Sequence, residues 1–324
     1  MFWRVIVAVL LTTGLFSQQA ALAQYPTKPV HIVVPYAAGG AVDAFARVLT
    51  QQLSEMWGQQ VVVDNRPGAS TMIGAEQVAK SPPDGYTLLL TAELTLVIVP
   101  HLYEKIPYDP LRDFAPVVAL VSATQALVAN PSLPVKTVKD LVALAKAKPG
   151  QLTFGSFGNG STGHLNMEVL QAMTGARFNH IPYNGAGPAM NDVIGGHIDF
   201  MLAALSIVKG NVQAGKLHMI AVGSNHRSSE FPDVPTLSES GAPGFEAKSW
   251  FGLVAPAGTP PDVIKKINRD VTRVISDRAF AEKYLAAQGL ESITDTPEQF
   301  AAFVRAETVR WGKIVKDADV KVTK

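Results

Sequence analysis

A turn of small residues near the start of the chain carries the clearest chemical signal in this sequence. A short apolar run, Val30–Val34, reaches Pro35, and a helical pattern follows that Gly58 ends. Because the turn is nearly bare of side chains, the first backbone N–H groups of the helix face outward and can bind an anion. An ordinary tight turn is the alternative interpretation. Asp43 is expected to cap the helix or to orient a water, and we predict five ligand contacts here: Tyr36, Ala38, Gly39, Gly40 and Asp43.

A second segment, GSFGNGSTGH at residues 155–164, is also a turn of small residues before a helical pattern, and it contains four glycines. Short polar side chains and bare backbone at a helix start are suited to holding an anion. A plain polar loop is the alternative, although it does not need so many donors. The predicted contacts in this segment are Gly158, Asn159, Ser161, Thr162 and His164. Together the two segments, called the first turn (residues 35–43) and the second turn (residues 155–164), predict a protein that holds a small anion between them.

Other candidate contacts follow later strands of the sequence. Thr91 and Glu93 come directly after a predicted strand, so both should reach the same crevice, although a lone loop Glu is more often solvated. Tyr183 follows another strand and can lie along an apolar or aromatic ligand, or simply pack at the strand end. Ala204 and Ser206 are weaker candidates for the pocket wall.

Enzymatic and metal chemistry has little support in the sequence. Ser161, His164 and Asp192 would be the members of a hydrolase triad, yet no G-x-S-x-G surrounds the serine, and its spacing to His164 is that of a helix cap and a first-turn residue. The seven histidines are scattered, without H-E-x-x-H. P-loop and dinucleotide glycine patterns are also missing. We therefore expect no catalytic residue, no metal and no cofactor.

The nearly neutral charge of the chain limits the classes of partner that it can bind. The 324 residues include 28 basic and 27 acidic side chains and no cysteine, which argues against nucleic acid as a partner and excludes disulfides. Residues 1–23 have the pattern of a secretory signal: Arg4, the apolar Val5–Leu11 and the small residues Ala21 and Ala23. The apolar part is too short for the alternative, a membrane anchor. The sequence thus predicts an exported protein in the periplasm.

Short apolar runs alternate with helical patterns, which predicts an α/β fold with parallel sheets. Ten strands are predicted: Val30–Pro35, Gln60–Asp64, Tyr86–Thr91, Pro116–Val121, Ala126–Asn130, Leu152–Phe157, Arg177–Tyr183, Ile198–Ala203, Leu217–Gly223 and Phe251–Ala255. Two extended stretches, Pro116–Asn130 and Gly244–Ala255, can instead be paired hinge strands. In that case residues 24–123 and 248–324 form one lobe and residues 124–247 the other, with a ligand crevice between them.

Several motifs together resemble one known family, the extracytoplasmic receptors of tripartite tricarboxylate transporters, often called Bug receptors. The resemblance covers essentially the whole mature chain and depends on these segments: Tyr25–Pro29, Val34–Tyr36 with Gly39, Gly40 and Asp43, Val61–Ala69, Gly74–Ala75, Pro83–Leu88, Pro107–Pro110, Gly158–Ser161, His180–Tyr183, Ser249–Gly252 and Pro256–Pro260. It implies a two-lobed, type II-like Venus-flytrap fold with two hinge-connecting strands. It also implies a monomer that captures a small carboxylate, largely with backbone N–H groups, and delivers it to a membrane permease of one large and one small subunit.

The sequence departs from the family pattern at several positions. Ala37, Ala38 and Val42 replace the common Pro and Thr, and Asn184 replaces a common Lys. Glu93 replaces a small hydroxyl residue, and Ala203–Ser206 replaces a frequent Asp-Asn pair and Pro. Because these changes remove polar groups from the second lobe, we expect a ligand with a larger apolar or aromatic body than a citrate-like acid. A sensor that presents its closed form to a signalling partner is the alternative function.

Overall fold

The computed structural model describes residues 25–183, 185–286 and 289–317, and the predicted signal segment lies outside them. The strands are β1 Val30–Val34, β2 Val61–Asn65, β3 Thr87–Ala92, β4 Phe114–Ala129, β5 Thr153–Ser156, β6 Asn179–Pro182, β7 Phe200–Ala204, β8 His218–Val222, β9 Lys248–Pro256 and β10 Leu290–Ser292. The α-helices are α1 Ala41–Trp57, α2 Met72–Ala79, α3 Val99–Leu102, α4 Val138–Ala147, α5 Thr162–Thr174, α6 Ala186–Gly195, α7 Leu205–Gln213, α8 Leu237–Ser240, α9 Pro261–Ile275, α10 Arg278–Phe280 and α11 Pro297–Asp317. Two π-helical turns, Leu94–Ile98 and Ala281–Leu285, complete the set.

The strands form two sheets that share β4. In the first lobe, β1 lies between β2 and β3 in parallel, and β9 joins β3 to β4 in antiparallel pairing, with β10 on the other side of β4. In the second lobe, β5 pairs in parallel with β6 and β7, while β4 pairs antiparallel with β7 and β8. This is the two-lobed α/β architecture that the sequence predicts.

The chain passes from one sheet to the other within β4, beside the start of β9. Thr124 pairs with Lys248 in the first sheet, whereas the next residue, Gln125, pairs with Ala204 in the second. The Gln125 N–H also donates to the Ala247 carbonyl at 3.0 Å. The prediction of two paired hinge strands is therefore confirmed.

Two strand predictions need correction. Pro116–Val121 and Ala126–Asn130 are parts of one strand, Phe114–Ala129, because the polar residues between them are paired in the ladder and do not interrupt it. The short β10 was missed, since its Glu291 and Ser292 are exposed and the strand has only three residues. Such a segment has no apolar alternation to detect.

Helix boundaries follow local chemistry. A capping box precedes α11, because Thr296 N–H donates to Gln299 Oε1 at 2.9 Å and Gln299 N–H donates to Thr296 Oγ1 at 3.2 Å. Helix α9 begins at Pro261, with Pro260 as its N-cap. Among the described residues, no helix has both the length and the apolar content needed to cross a membrane.

Each lobe has an apolar core beneath its sheet. Helix α1 buries Phe45, Ala46, Leu49 and Leu53 against the first sheet, while Met56 near its end is 40% exposed. The second core is built around Phe154, Phe200 and Leu202 of β5 and β7. These cores hold the carboxyl ends of β1, β3, β5 and β7 in place, and the candidate residues follow those ends.

Candidate functional site

The first turn leaves a helix start without a side-chain cap. Gly40, with φ −79° and ψ 170°, is the N-cap of α1, and no side chain accepts from the first N–H groups. Within the described part of the chain, the N–H groups of Gly40, Ala41 and Val42 meet no acceptor. Residues 37–41 are exposed. The backbone at this helix start is thus accessible, and these three N–H groups have no acceptor among the described residues.

Asp43 has a different place from the one predicted. It is the third residue of α1, not its cap, and its carboxylate turns back to accept the Gly39 N–H at 2.8 Å. Gly39 therefore donates within the turn. Arg47 donates to the same carboxylate through Nε at 3.0 Å, and Asn65 donates through Nδ2 at 2.9 Å. Burial acts to raise the pKa of Asp43, but the hydrogen bonds from Arg47, Gly39 and Asn65 outweigh it and keep that pKa below its usual range.

This arrangement balances charge at the helix start. An unpaired carboxylate at this position would repel an anion bound to the N–H groups of Ala41 and Val42. The Arg47 guanidinium, one helical turn along from Asp43, offsets that charge. Asn65 also donates to the Tyr36 carbonyl at 3.2 Å and thereby links β2 to the first turn. Sequence reasoning missed both residues, although the i,i+4 spacing of Asp43 and Arg47 was a usable signal.

A group of hydroxyls lies at the carboxyl end of β3. Thr91 Oγ1 is hydrogen-bonded to Thr95 Oγ1, which donates to Thr71 Oγ1 at 2.9 Å, and the Tyr36 hydroxyl is 3.5 Å from Thr95 Oγ1. Burial raises the pKa of Tyr36 to about 12, so its hydroxyl stays protonated. Thr91 is fully buried and contacts other protein hydroxyls. It therefore supports the first turn from beneath.

Glu93 was a candidate ligand contact with a solvated side chain as the alternative, and the solvated alternative is wrong. Its side chain is 2% exposed and accepts from the Ser249 hydroxyl at 2.7 and 2.8 Å and from the Trp250 N–H at 2.9 Å. Burial raises the pKa of Glu93 to about 7, against the opposing effect of those hydrogen bonds. Glu93 therefore fastens the end of β3 to the start of β9, next to the crossing.

The second turn satisfies many of its own donors. Ser161 is the N-cap of α5, and its Oγ accepts the His164 N–H at 3.4 Å. Ser156 Oγ accepts the Gly158 N–H at 3.2 Å, and the Gly160 N–H donates to Nδ1 of His164 at 3.1 Å. Within the described residues, the N–H groups of Asn159, Thr162 and Gly163 have no acceptor. The second turn thus has fewer accessible donors than its composition suggests, and only Asn159 is exposed.

A buried amide connects the second turn to the crossing strand. Gln125 Nε2 donates to Thr162 Oγ1 at 3.0 Å, and Asn166 Nδ2 donates to Gln125 Oε1 at 2.9 Å. Gln125 and Asn166 are 2% and 1% exposed. Sequence reasoning missed Gln125, because nothing local marks a strand residue whose partners lie about 40 positions away.

The remaining candidates line the carboxyl ends of β6 and β7. The Tyr183 hydroxyl donates to Asp192 Oδ2 at 2.6 Å, while burial first and that carboxylate second raise the pKa of Tyr183 to about 12. Asp192 thus binds Tyr183, and the Nδ1 of His164 accepts from Gly160, so the imagined hydrolase triad is not assembled. Ala204 is the N-cap of α7 and Ser206 its second residue. Asn184 lies outside the described residues.

The structure therefore divides the candidates into two groups, one in each lobe. Tyr36, Ala38, Gly39, Gly40, Asp43, Thr91 and Glu93 belong to the carboxyl ends of β1 and β3. Gly158, Asn159, Ser161, Thr162, His164, Tyr183, Ala204 and Ser206 belong to those of β5, β6 and β7. The lobes meet where Leu102 packs so closely on Gly160 that a Cβ there would lie 2.5 Å from Leu102 Cδ1. No group of three or more His, Asp or Glu residues in the described ranges is arranged to hold a metal.

Comparison with known proteins places this geometry in a family. The model of the TctC family, described as "Tripartite tricarboxylate transporter family receptor", matches residues 45–320. The chain belongs to this family. It is 37% identical to "Protein BugT" of Bordetella pertussis over 318 residues, which cover 98% of this chain and 97% of BugT.

Solved structures agree with this assignment. "R. palustris Rpa4515 with adipate" is 35% identical to this receptor, with a TM-score of 0.83, and the match covers 92% of this chain and 99% of that one. "Structure of periplasmic binding protein BugD" is 34% identical, with a TM-score of 0.79 and the same coverage. The receptor thus belongs to a family of solute-binding proteins of the periplasm, one of which is solved with a carboxylate.

Proposed function

We propose that this receptor captures a small carboxylate between its lobes and delivers it to the permease subunits of a tripartite tricarboxylate-type transporter. The protein acts in the periplasm after removal of residues 1–23, as a monomer. The observation that carries the proposal is the first turn. Among the described residues, its N–H groups at Gly40, Ala41 and Val42 have no acceptor, and the charge of the neighbouring Asp43 is offset by Arg47. Few environments suit a carboxylate better than an uncapped helix start with no net negative charge beside it.

Lobe closure supplies the binding mechanism. Residues 24–123 and 248–324 move as one lobe and residues 124–247 as the other. A carboxylate on the first turn meets the exposed N–H group of Asn159 only when the second lobe approaches. The ligand therefore favours the closed state by making contacts that the open state lacks.

The second lobe narrows the class of ligand. The hydroxyls of Ser156 and Tyr183 donate to the Gly158 carbonyl and to Asp192, which leaves fewer hydroxyl donors for a second charged group. A charged carboxylate without partners is costly to bury. We infer that one carboxylate binds the first turn, and that an apolar or aromatic body faces the second lobe. The adipate of the R. palustris relative, with its carboxylates separated by four methylenes, is a suitable first probe.

Thermal unfolding against a panel of acids tests this function. Adipate, succinate, malate, citrate, benzoate and terephthalate are each added at several concentrations. An acid present at about 100 times its dissociation constant adds about 2.7 kcal/mol to the free energy of unfolding, which raises Tm by a few degrees. Stabilisation by acids with apolar or aromatic bodies, and not by citrate, supports the ligand class. A larger shift with citrate contradicts the ligand class, and no shift with any acid contradicts the carboxylate function.

One substitution isolates the first turn. Ala41 is the first residue of α1, where proline is well tolerated, and Gly40 already has the extended backbone that a residue before proline adopts. Ala41→Pro therefore removes a single N–H and leaves the helix intact. Losing one hydrogen bond to a charged group should weaken binding of the stabilising acid by about tenfold or more. Arg278→Pro, at the exposed first position of α10, is the matched control and should bind normally.

A further inference from the structure

One large aromatic side chain stands in the second turn. Phe157 is the only large apolar residue in residues 155–164, whose other members are glycines and polar side chains. It directly follows β5, and its side chain is partly exposed. Because β7 lies beside β5, with Gly155 paired to Met201, Phe157 lies at the carboxyl ends of both strands. Ligands of open α/β sheets bind at such strand ends.

The ring of Phe157 rests on Gly163, the second residue of α5. A Cβ at Gly163 would lie 2.6 Å from Phe157 Cε1, 3.1 Å from Phe157 Cζ and 2.8 Å from the Leu202 carbonyl oxygen. In a helix the Cα–Cβ bond tilts towards the N-terminus, which is also the end where the first N–H groups lack helical partners. The ring therefore lies at the open end of α5. Gly163 is buried, and its N–H has no acceptor among the described residues.

The starts of α1 and α5 therefore present different surfaces to the crevice. At α1, residues 37–41 are exposed, and residues 37–44 carry no aromatic side chain. At α5, the ring of Phe157 covers Gly163, and only the neighbouring Asn159 is exposed. The first turn thus offers backbone donors to an anion, whereas the second turn offers mainly an aromatic ring.

The backbone that carries this ring is held on two sides. Leu102 of the first lobe packs closely on Gly160, so the second turn faces the first lobe. Beneath the turn, the rings of His164 and His180 stack with their centroids 3.8 Å apart, and the Gly160 N–H donates to Nδ1 of His164 at 3.1 Å. A wall that is already in place loses little conformational entropy when a ligand packs against it.

We propose that Phe157 is the residue that determines the ligand class. Its ring covers the start of α5 and forms the wall against which the apolar or aromatic body of the bound acid packs, while the carboxylate stays on the first turn. The covered Gly163 N–H is withheld from a second carboxylate. Without the ring, an apolar wall is exchanged for an open helix start, which suits short dicarboxylates. The inference rests on the proposed function for its ligand, but the covering of Gly163 can be measured without one.

Amide hydrogen exchange of Gly163 in the ligand-free protein tests the covering. Phe157→Ala should speed this exchange roughly tenfold, because water then reaches an N–H that the ring shields. Phe157→Leu keeps an apolar side chain and should have a smaller effect in the same direction. The amide of the buried Leu170, in the middle of α5, reports any general loosening of the helix. Phe231→Ala, in a partly exposed loop outside both turns, is the matched control and should leave Gly163 unchanged.

Affinities for adipate and succinate test the ligand class, because these acids have the same two carboxylates and differ by two methylenes. Two buried methylenes are worth roughly tenfold in affinity, so the natural protein and Phe231→Ala should prefer adipate by that factor. In Phe157→Ala the preference should largely disappear. An unchanged preference, or Gly163 exchange that does not respond to Phe157→Ala, would overturn the proposal. If neither acid binds the natural protein, that result counts against the proposed function, and Gly163 exchange still decides whether the ring covers α5.

Discussion

Glu93 and His180 should give the free energy of unfolding two opposing dependences on pH. The folded protein holds a proton on Glu93 up to about pH 7, against an ordinary pKa of 4.5, because the carboxyl is buried. It keeps His180 neutral down to about pH 4, against an ordinary pKa of 6.5, because of burial and the neighbouring His164. Replacing either residue with glutamine removes one dependence and exposes the other.

The direction of the Glu93 effect on the free energy of unfolding follows from whether the folded or the unfolded state binds the proton more tightly. Below pH 4.5 the carboxyl is protonated in both states and burial carries no penalty. As pH rises through 4.5 to 7, the unfolded chain ionises first, so stability is lost. A raised pKa from 4.5 to about 7 corresponds to about 3 kcal/mol at 1.36 kcal/mol per pH unit. His180 has the opposite sign: its stabilisation is complete above pH 6.5 and is lost as pH falls towards 4. Because its ring is only half-buried, we expect about 1 to 2 kcal/mol from it.

Glu93→Gln suits this test because the amide fits the same partners. Its oxygen can accept the Trp250 N–H, and its NH₂ can donate to the Ser249 hydroxyl. The natural protein should lose only about 1 to 2 kcal/mol of stability as pH rises from 4.5 to 7, since the smaller effect of His180 cancels part of the larger effect of Glu93. The free energy of unfolding of Glu93→Gln, minus that of the natural protein, should rise by about 3 kcal/mol between pH 4.5 and pH 7.5. Taken alone, the variant should lose stability as pH falls, because only the effect of His180 remains. His180→Gln should lose stability as pH rises.

Urea unfolding at half-unit intervals from pH 4.5 to pH 8 measures these differences in the free energy of unfolding. The transitions followed by circular dichroism and by tryptophan fluorescence must coincide, as two-state unfolding requires. The exposed Glu104→Gln is the control, and it should follow the natural profile. A constant difference between Glu93→Gln and the natural protein at every pH would refute the reasoning. So would a Glu93→Gln variant that is less stable at pH 7.5, which would mean that the ionised carboxylate is the favoured form.

Three further substitutions test how the two turns are held. Gly74→Ala would place a Cβ 2.9 Å from the backbone oxygen of Arg66, so we expect a loss of about 1 to 3 kcal/mol in urea unfolding; an unchanged midpoint would show that the contact relaxes freely. Asp43→Asn turns an amide N–H towards at least one of the three groups that donate to Asp43, so the free energy of unfolding should fall by about 1 to 3 kcal/mol. A bound carboxylate should also raise Tm less in this variant than in the natural protein. An equal rise in Tm would mean that Asp43 does not support ligand binding. Gln125→Leu leaves the buried Thr162 hydroxyl without its donor and should lose about 2 to 4 kcal/mol in urea, whereas a neutral result would imply that water replaces the amide.

Sequence patterns predicted the elements because those patterns are local. The bare first turn and the Ser161 cap each depend on residues within four positions of one another. The crossing strands were also foreseen, since both are long, extended and apolar. In each case a short-range rule of helix ends or strand periodicity was enough.

Partners far apart in the sequence were not predicted. Glu93 was expected in solvent because its partners, Ser249 and Trp250, are 156 and 157 positions away. The stack of His164 on His180 depends on the register of β5 with β6, which no single-segment pattern reveals. Burial of a polar side chain is decided by tertiary contacts, so the residue type alone favoured the solvated interpretation.

Glu93 and Gln125 together indicate where the lobes rotate. Glu93 accepts hydrogen bonds from Ser249 and Trp250, which lie just after the chain returns to the first lobe. Gln125 lies just after the chain enters the second lobe and donates to Thr162. Each crossing strand is thus fixed to one lobe by a buried side chain within three residues of the crossing. Bending is therefore expected in the short interval between these anchors, at residues 124–125 and 247–248. Because Gln125 also orients the start of α5, we expect rotation at the crossing to carry the second turn with the second lobe.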